Sequence, residues 1–287
     1  MKKVAYLALA KTIGFYLNIL SFILPKKSIQ KAYSLFSIPR TGKLTTETLP
    51  HILKEAVLET LELKSENIQT YTWKGDENVV LLVHGWESNS SRWARLISEL
   101  KKTGHTIVTL DAPGHGLSGD KFFSIPKYVE FINVAVEKFH PKFLIGHSMG
   151  GKACLYYQHL YQNLGIQKIV LLGAPCDFSV IFDNFISLLS LNSIVSKGLK
   201  KHYIKYFNLE IEHFSGRIFA SNISTKGLII HDVDDKVVLF NEGKKLAKHW
   251  KTATLIETKG LGHSLHDADL YQKITQFIIE DDSTDSL

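Results

Sequence analysis

Cysteine is nearly missing from this 287-residue chain, which has only Cys154 and Cys176. Two cysteines cannot build a disulfide framework, and neither stands in a CxxC or Cys/His spacing that would hold a structural metal. They read as buried thiols in a reducing compartment, so the chain is expected to be cytoplasmic, or membrane-associated if its first segment meets a bilayer. Lys plus Arg outnumber Asp plus Glu by 34 to 28, yet no Arg-rich stretch interleaved with aromatics occurs. That argues against a nucleic acid partner. Internal repeats and low-complexity tracts are absent too. Apolar residues are plentiful, at 45% against 22% charged, enough for a large core.

Met1-Lys2-Lys3 leads into an apolar stretch from Val4 to Leu24. A signal peptide fits it poorly, because Lys11 interrupts the run and no small-x-small cleavage site follows Leu24. A membrane span is long enough at ~1.5 Å per residue, but Lys11 and Asn18 would then sit in hydrocarbon. As a helix, the stretch lines up Lys11, Gly14, Asn18 and Ser21 in a narrow polar stripe and leaves the remainder apolar. Such a face needs a partner. The protein's own body, a second copy of the chain, and a bilayer surface with Lys2, Lys3, Lys26, Lys27 and Lys31 near the headgroups all satisfy it. Pro25 ends the helix, an amphipathic segment runs from Ser28 to Ser37, and Pro39 to Gly42 break the pattern. A further helix is expected over Leu49 to Leu61, with Lys54, Glu55, Glu59 and Glu62 on its solvated face. Residues 1–65 are therefore expected to form an N-terminal helical extension.

From about Asn67, strand and helix patterns alternate. Strands are predicted at 68–73, 79–84, 106–110, 143–146, 169–172, 228–231 and 253–257, with helices between them at 92–101, 127–139, 152–162, 243–250 and 270–280. Continuous apolar runs such as Val79-Val80-Leu81-Leu82-Val83 suit parallel strands covered on both faces. The spacing predicts an α/β fold, a doubly wound and mostly parallel sheet with helices on both faces, over 66–176 and 226–287. Residues 177–225 break the alternation with helical apolar patterns, including Phe182, Phe185, Leu188 and Leu189. They are expected to form a helical lid. The acidic tail from Glu280 to Leu287 is expected to be frayed.

The run Phe143-Leu144-Ile145-Gly146-His147-Ser148-Met149-Gly150-Gly151 reads as strand, sharp turn, helix. Glycines two positions either side of Ser148 let a tight turn present its hydroxyl at a helix N-terminus, where the dipole and free N–H groups favour negative charge. A serine hydroxyl is a weak nucleophile without a histidine to take its proton and a carboxylate to orient that histidine. Later strand ends supply both types. His231-Asp232-Val233-Asp234-Asp235 follows the strand at Leu228, and Gly260-Leu261-Gly262-His263 follows the strand at Leu255.

With His84-Gly85-Trp86, the segment from Asp111 to Ser118, the elbow at Ser148 and the paired Asp and His segments in that order, the chain resembles serine hydrolases of the α/β-hydrolase superfamily, esterases and lipases among them. The resemblance covers roughly Asn67 to the C-terminus. It implies the α/β-hydrolase fold with Ser148 as nucleophile and His263 as base. It also implies Asp235 as acid, with Asp232 and Asp234 as runners-up, and the backbone N–H groups of Trp86 and Met149 as the oxyanion hole. His84, His147, Asp111 and His115 are expected to pack and hydrogen-bond, and His266 to lie on a solvated helix. The implied reaction needs no metal and no organic cofactor. It acts on a small-molecule ester-like substrate with an apolar part, passes through an acyl-enzyme, and falls off at acid pH as the base protonates. Thioesterase, lysophospholipase and amidase activity use the same groups. A non-catalytic ligand-binding or membrane-associated protein on the same scaffold is the alternative of a different class.

Overall fold

A computed structural model describes residues 2–280. The tail expected to be frayed, beyond Glu280, lies outside them. Eight strands make one sheet: β1 (Val57–Leu63), β2 (Glu66–Trp73), β3 (Val79–Val83), β4 (Thr106–Leu110), β5 (Phe143–His147), β6 (Lys168–Leu172), β7 (Lys226–Asp232) and β8 (Ala253–Thr258). Their order is β1-β2-β4-β3-β5-β6-β7-β8, with β2 antiparallel to both β1 and β4 and every later pairing parallel. The helices in chain order are α1 (Lys2–Ile23), α2 (Pro25–Ser37), α3 (His51–Lys54), α4 (Ala94–Leu100), α5 (Ile125–Phe139), α6 (Met149–Tyr161), α7 (Phe178–Leu189), α8 (Ser193–Phe207), α9 (Gly216–Ser221), α10 (Asn241–His249) and α11 (Ala268–Ile279).

The chain divides into two units. One comprises the sheet and its helices, from Pro39 to Cys176 and from Phe219 onward; the other joins α1 and α2 to Asp177–Ile218. In the sheet unit the apolar runs are buried as parallel strands require, Val80 to Val83 and Ile169 to Leu171 completely. Tyr71, Trp93, Leu96, Ile107, Ile145 and Ile274 belong to one continuous core. Local signals set helix ends. Ser124 caps α5 by accepting from the Lys127 amide, and Asp267 caps α11 by accepting from Leu270 N at 2.8 Å.

The helix expected over Leu49 to Leu61 is not formed. A single short helix, α3, is followed by β1, which pairs residue for residue with β2 across a turn at Lys64, where φ is +59°. The extension expected to reach residue 65 therefore divides, and the part from Pro39 on belongs to the sheet unit. Glu59, Leu61 and Leu63 alternate with the more exposed Thr60 and Glu62, a period-two pattern too short to stand out from the helical spacing of the charges around it. Pairing with β2 decides it.

In the helical unit, Asn192 caps α8 by accepting from Val195 N at 3.0 Å. Phe36 of α2 packs on Phe178, Phe182 and Phe185 of α7, with centroids 4.8 to 6.1 Å apart. The insertion after residue 176 is thus helical, as its apolar spacing implied, and its core is shared with the N-terminal helices.

Candidate active site

β5 ends at His147 and α6 begins at Met149, which leaves Ser148 alone at the turn with φ +52° and ψ −121°. The strain sits on the serine itself, and the neighbouring glycines supply room. A Cβ on Gly146 would stand 2.5 Å from Gly151 Cα, and one on Gly150 would stand 2.2 Å from the Val83 carbonyl oxygen. No side chain fits at either place, because the obstacles are backbone. The elbow is set among the carboxyl ends of parallel strands, where connecting loops can bring groups from distant sequence together.

β7 and β8 bring two of them. His263 Nε2 lies 3.0 Å from Ser148 Oγ, and His263 Nδ1 lies 2.7 Å from Asp235 Oδ2. The tautomer follows from the partners: Nδ1–H donates to the carboxylate and Nε2 accepts from the serine hydroxyl. Asp235 is fully buried, while the His263 side chain keeps a fifth of its surface open. Burial by itself would raise the Asp235 carboxyl. Hydrogen bonds from His263 and from the Val238 and Val237 amides outweigh it and hold the group below its ordinary value, as a carboxylate. Asp232 does different work. Its Oδ2 accepts from Thr258 Oγ1 at 2.8 Å and Leu261 N at 2.9 Å, tying β7 to the loop that carries His263, and its Oδ1 accepts from Asp234 N. Asp234 accepts from Gly260 N at 3.2 Å.

Trp86 follows β3 on the segment that faces the elbow, since a Cβ on Gly85 would stand 3.0 Å from Ser148 Cβ. Its ring packs edge-on against Phe123 and His115. Among the described residues, neither the Trp86 nor the Met149 amide has a backbone partner, so both are free to donate.

The remaining histidines are accounted for by their bonds. His84 Nε2 accepts from Ala112 N and its Nδ1–H donates to the Gly85 carbonyl; His115 Nε2 accepts from Glu87 N and its Nδ1–H donates to Pro113 O. Both rings are buried and neutral. Burial lowers His84 to about 4 and His115 to about 3. Asp111 holds the same region, with Oδ1 accepting from Ser90 N and Oδ2 from Tyr71 OH and Leu117 N. Together they brace the loop that carries Trp86. His147 donates Nε2–H to the His263 carbonyl at 2.8 Å, and burial keeps its ring well below the ordinary histidine value. His266 is exposed, lies before α11, and bonds to the Tyr271 hydroxyl.

Sequence reasoning missed His231. Buried at the end of β7, it donates Nε2–H to Val238 O at 2.8 Å, and that nitrogen lies 3.6 Å from Asp235 Oδ2. It fixes the turn that aims the acid. Nothing in the local sequence sets it apart from an ordinary strand residue. Both cysteines are buried and outside any disulfide, and among the described residues no cluster of His, Cys, Asp or Glu has the arrangement of a metal site.

The sequence profile of the alpha/beta hydrolase fold matches residues 78–224. A serine hydrolase-like protein of Danio rerio is 34% identical over 115 residues, 37% of this chain and 35% of that protein. Phospholipase YtpA of Bacillus subtilis is 30% identical over 115 residues, 37% of this chain and 44% of its own length. The chain thus spans less than half the length of these curated relatives. Among solved structures, mouse alpha/beta hydrolase domain-containing protein 10 superimposes with a TM-score of 0.60 at 15% identity, covering 78% of this chain and 97% of that one.

Proposed function

Because the chain belongs to the alpha/beta hydrolase fold family, we propose that it is a serine hydrolase that cleaves carboxylic ester bonds through an acyl-enzyme on Ser148. One observation carries the reading. Ser148 Oγ, the His263 ring and the Asp235 carboxylate form a hydrogen-bonded line at 3.0 and 2.7 Å, on a strained elbow at a helix N-terminus. The relatives named serine hydrolase-like protein and phospholipase support it.

His263 Nε2 takes the Ser148 proton as Oγ attacks the ester carbonyl, and Asp235 stabilises the imidazolium by keeping the Nδ1 proton in place. The carbonyl oxygen becomes an oxyanion, stabilised by the Met149 and Trp86 amides and by the positive end of α6. His263 then returns the proton to the leaving alcohol. In the second half the same nitrogen deprotonates a water, which attacks the acyl-enzyme and releases the acid and free Ser148. Every step uses groups of this chain.

The helices of the insertion after β6 are rich in Phe and Leu, and this composition supports a substrate with an apolar acyl or alcohol part. Wild-type protein reacts with a fluorophosphonate probe and Ser148→Ala does not. A folded wild type that stays unlabelled sinks the proposal. Turnover of esters, thioesters and amides of graded chain length then assigns the bond, and preference for thioesters or amides over esters refutes the ester assignment.

A further inference from the structure

The first helix is inside out for a surface helix in water. Its polar stripe faces protein: Lys11 Nζ donates to the Ser187 carbonyl at 2.8 Å and to Ser190 Oγ at 2.6 Å. Asn18 donates to Ser190 O and accepts from Asn192 N, both at 2.8 Å, and Ser21 Oγ accepts from Asn192 Nδ2 at 2.9 Å. Gly14 lets α1 approach the end of α7 so closely that a Cβ there would overlap the Leu189 carbonyl. The stripe read from the sequence is therefore consumed inside the helical unit. What α1 turns outward is Val4, Leu9, Phe15, Ile19, Phe22 and Ile23, of which Phe15 is 67% and Phe22 74% exposed. Thr12, which lies among them, spends its hydroxyl on the Ala8 carbonyl of its own helix.

Two further observations select what meets this surface. At about 100° per residue these six apolar positions spread over about 140° of the helix circumference, wider than the two-position seam of a coiled coil. A partner helix covers a narrower seam, whereas a fluid apolar phase wraps a wide arc from several sides. Charge is the second. Residues 1–38 contain six lysines and no Asp or Glu, and residues 177–218 add four lysines and an arginine against four carboxylates. Eleven cations against four anions give this unit a net +7, while the whole chain carries +6. The excess positive charge is concentrated on the unit that carries the apolar face. Lys26, Lys27 and Lys31 are exposed just beyond the C-terminal end of α1.

We infer that the outward face of α1 docks in the plane of an anionic lipid bilayer, its apolar side chains in the acyl boundary and the surrounding lysines among acidic headgroups. From Lys11 to Ser21 the helix is bound to a unit whose Lys197, Lys201 and Lys205 are exposed, and these cannot follow it into hydrocarbon. The helix lies along the membrane and does not cross it. The inference is independent of the hydrolase reading, because binding is measured without turnover.

The test is flotation of the full chain with phosphatidylcholine vesicles, with and without phosphatidylglycerol, alongside sedimentation velocity without lipid. Wild type floats with the anionic vesicles, less with neutral ones and less as salt rises. Phe15→Glu combined with Phe22→Glu stays folded, because both side chains face outward, and reduces flotation at least about tenfold, the order expected for withdrawing large apolar groups from hydrocarbon. A wild type that stays below the anionic vesicles overturns the inference, as does a double variant that floats equally well. A lipid-free dimer that the double variant dissociates also overturns it, and assigns the face to a second copy.

Discussion

Replacing Asp235 with asparagine keeps the side chain's shape and exchanges one carboxylate oxygen for an NH2 group. The remaining oxygen can still accept from Val237 N and Val238 N, at 2.8 and 3.0 Å, so the turn has reason to hold. Turning the amide over would set its NH2 against those two N–H groups, which fixes its direction. The NH2 then points at His263 Nδ1, 2.7 Å from the position of the lost oxygen, and Nδ1 must accept. The ring proton moves to Nε2, 3.0 Å from Ser148 Oγ, where the reaction needs a lone pair. Tautomer inversion of this kind costs about four decades in turnover, or about 5.5 kcal/mol of barrier at ~1.36 kcal/mol per decade. Initial rates on a p-nitrophenyl ester and the rate of fluorophosphonate labelling both read it, with a melting curve to show that the variant is folded. The expected loss in kcat/KM is roughly 10³ to 10⁴-fold. Asp232→Asn is the control. Asp232 anchors the His263 loop through Thr258 and Leu261 without touching the ring, so its loss should appear more in stability than in rate. A folded Asp235→Asn that loses less than about tenfold, or an equal rate loss in Asp232→Asn, refutes the assignment of the acid.

Gly150→Ala forces a methyl group to within 2.2 Å of Val83 O and 2.4 Å of His84 O, so the elbow must move; urea denaturation should show a loss of about 1–3 kcal/mol or more, and an unchanged midpoint contradicts the packing argument. His147→Phe removes the donor to the His263 carbonyl while filling similar volume, and should lower kcat up to about tenfold with the pH profile unmoved. Acid should destabilise the sheet unit before its carboxylates titrate. His84 and His115 have folded values of about 4 and about 3 against an ordinary 6.5, so the unfolded chain binds the extra protons. Their stabilisation is complete above about pH 6.5 and is lost as pH falls toward about 4 for His84 and about 3 for His115, with a slope of at most about 1.4 kcal/mol per pH unit for each ring. Denaturation midpoints that stay flat from pH 7 to about pH 4 would contradict the buried neutral rings.

Much of the sheet unit could be read from the linear sequence, because its signals are local. Runs such as Val79–Val83 are apolar on both faces and too short for helices, and Gly146 and Gly150 bracket Ser148 wherever that turn is made. Local signals were weaker where two periods overlapped, and there β1 was read as helix. Only its pairing with β2 separates a half-exposed strand from a solvated helix. Three aspartates within four positions were equivalent by composition. In the folded turn Asp235 meets His263, while Asp232 and Asp234 secure the backbone around it, and buried His231 holds the turn in place.

The sequence by itself determined that a serine, a carboxylate and a histidine arrive in that order after three strands, now β5, β7 and β8, and that α1 has a polar stripe beside a broad apolar face. The resemblance already implied Asp235 as the acid, and the fold adds its 2.7 Å contact with His263, but only the tertiary structure decided which side of α1 faces the protein. Spacing along a chain sorts side chains onto faces, since helix and strand periods are local geometry. What each face meets depends on partners distant in sequence: Ser190 and Asn192 for the stripe of α1, and the turn at Val237 and Val238 for Asp235.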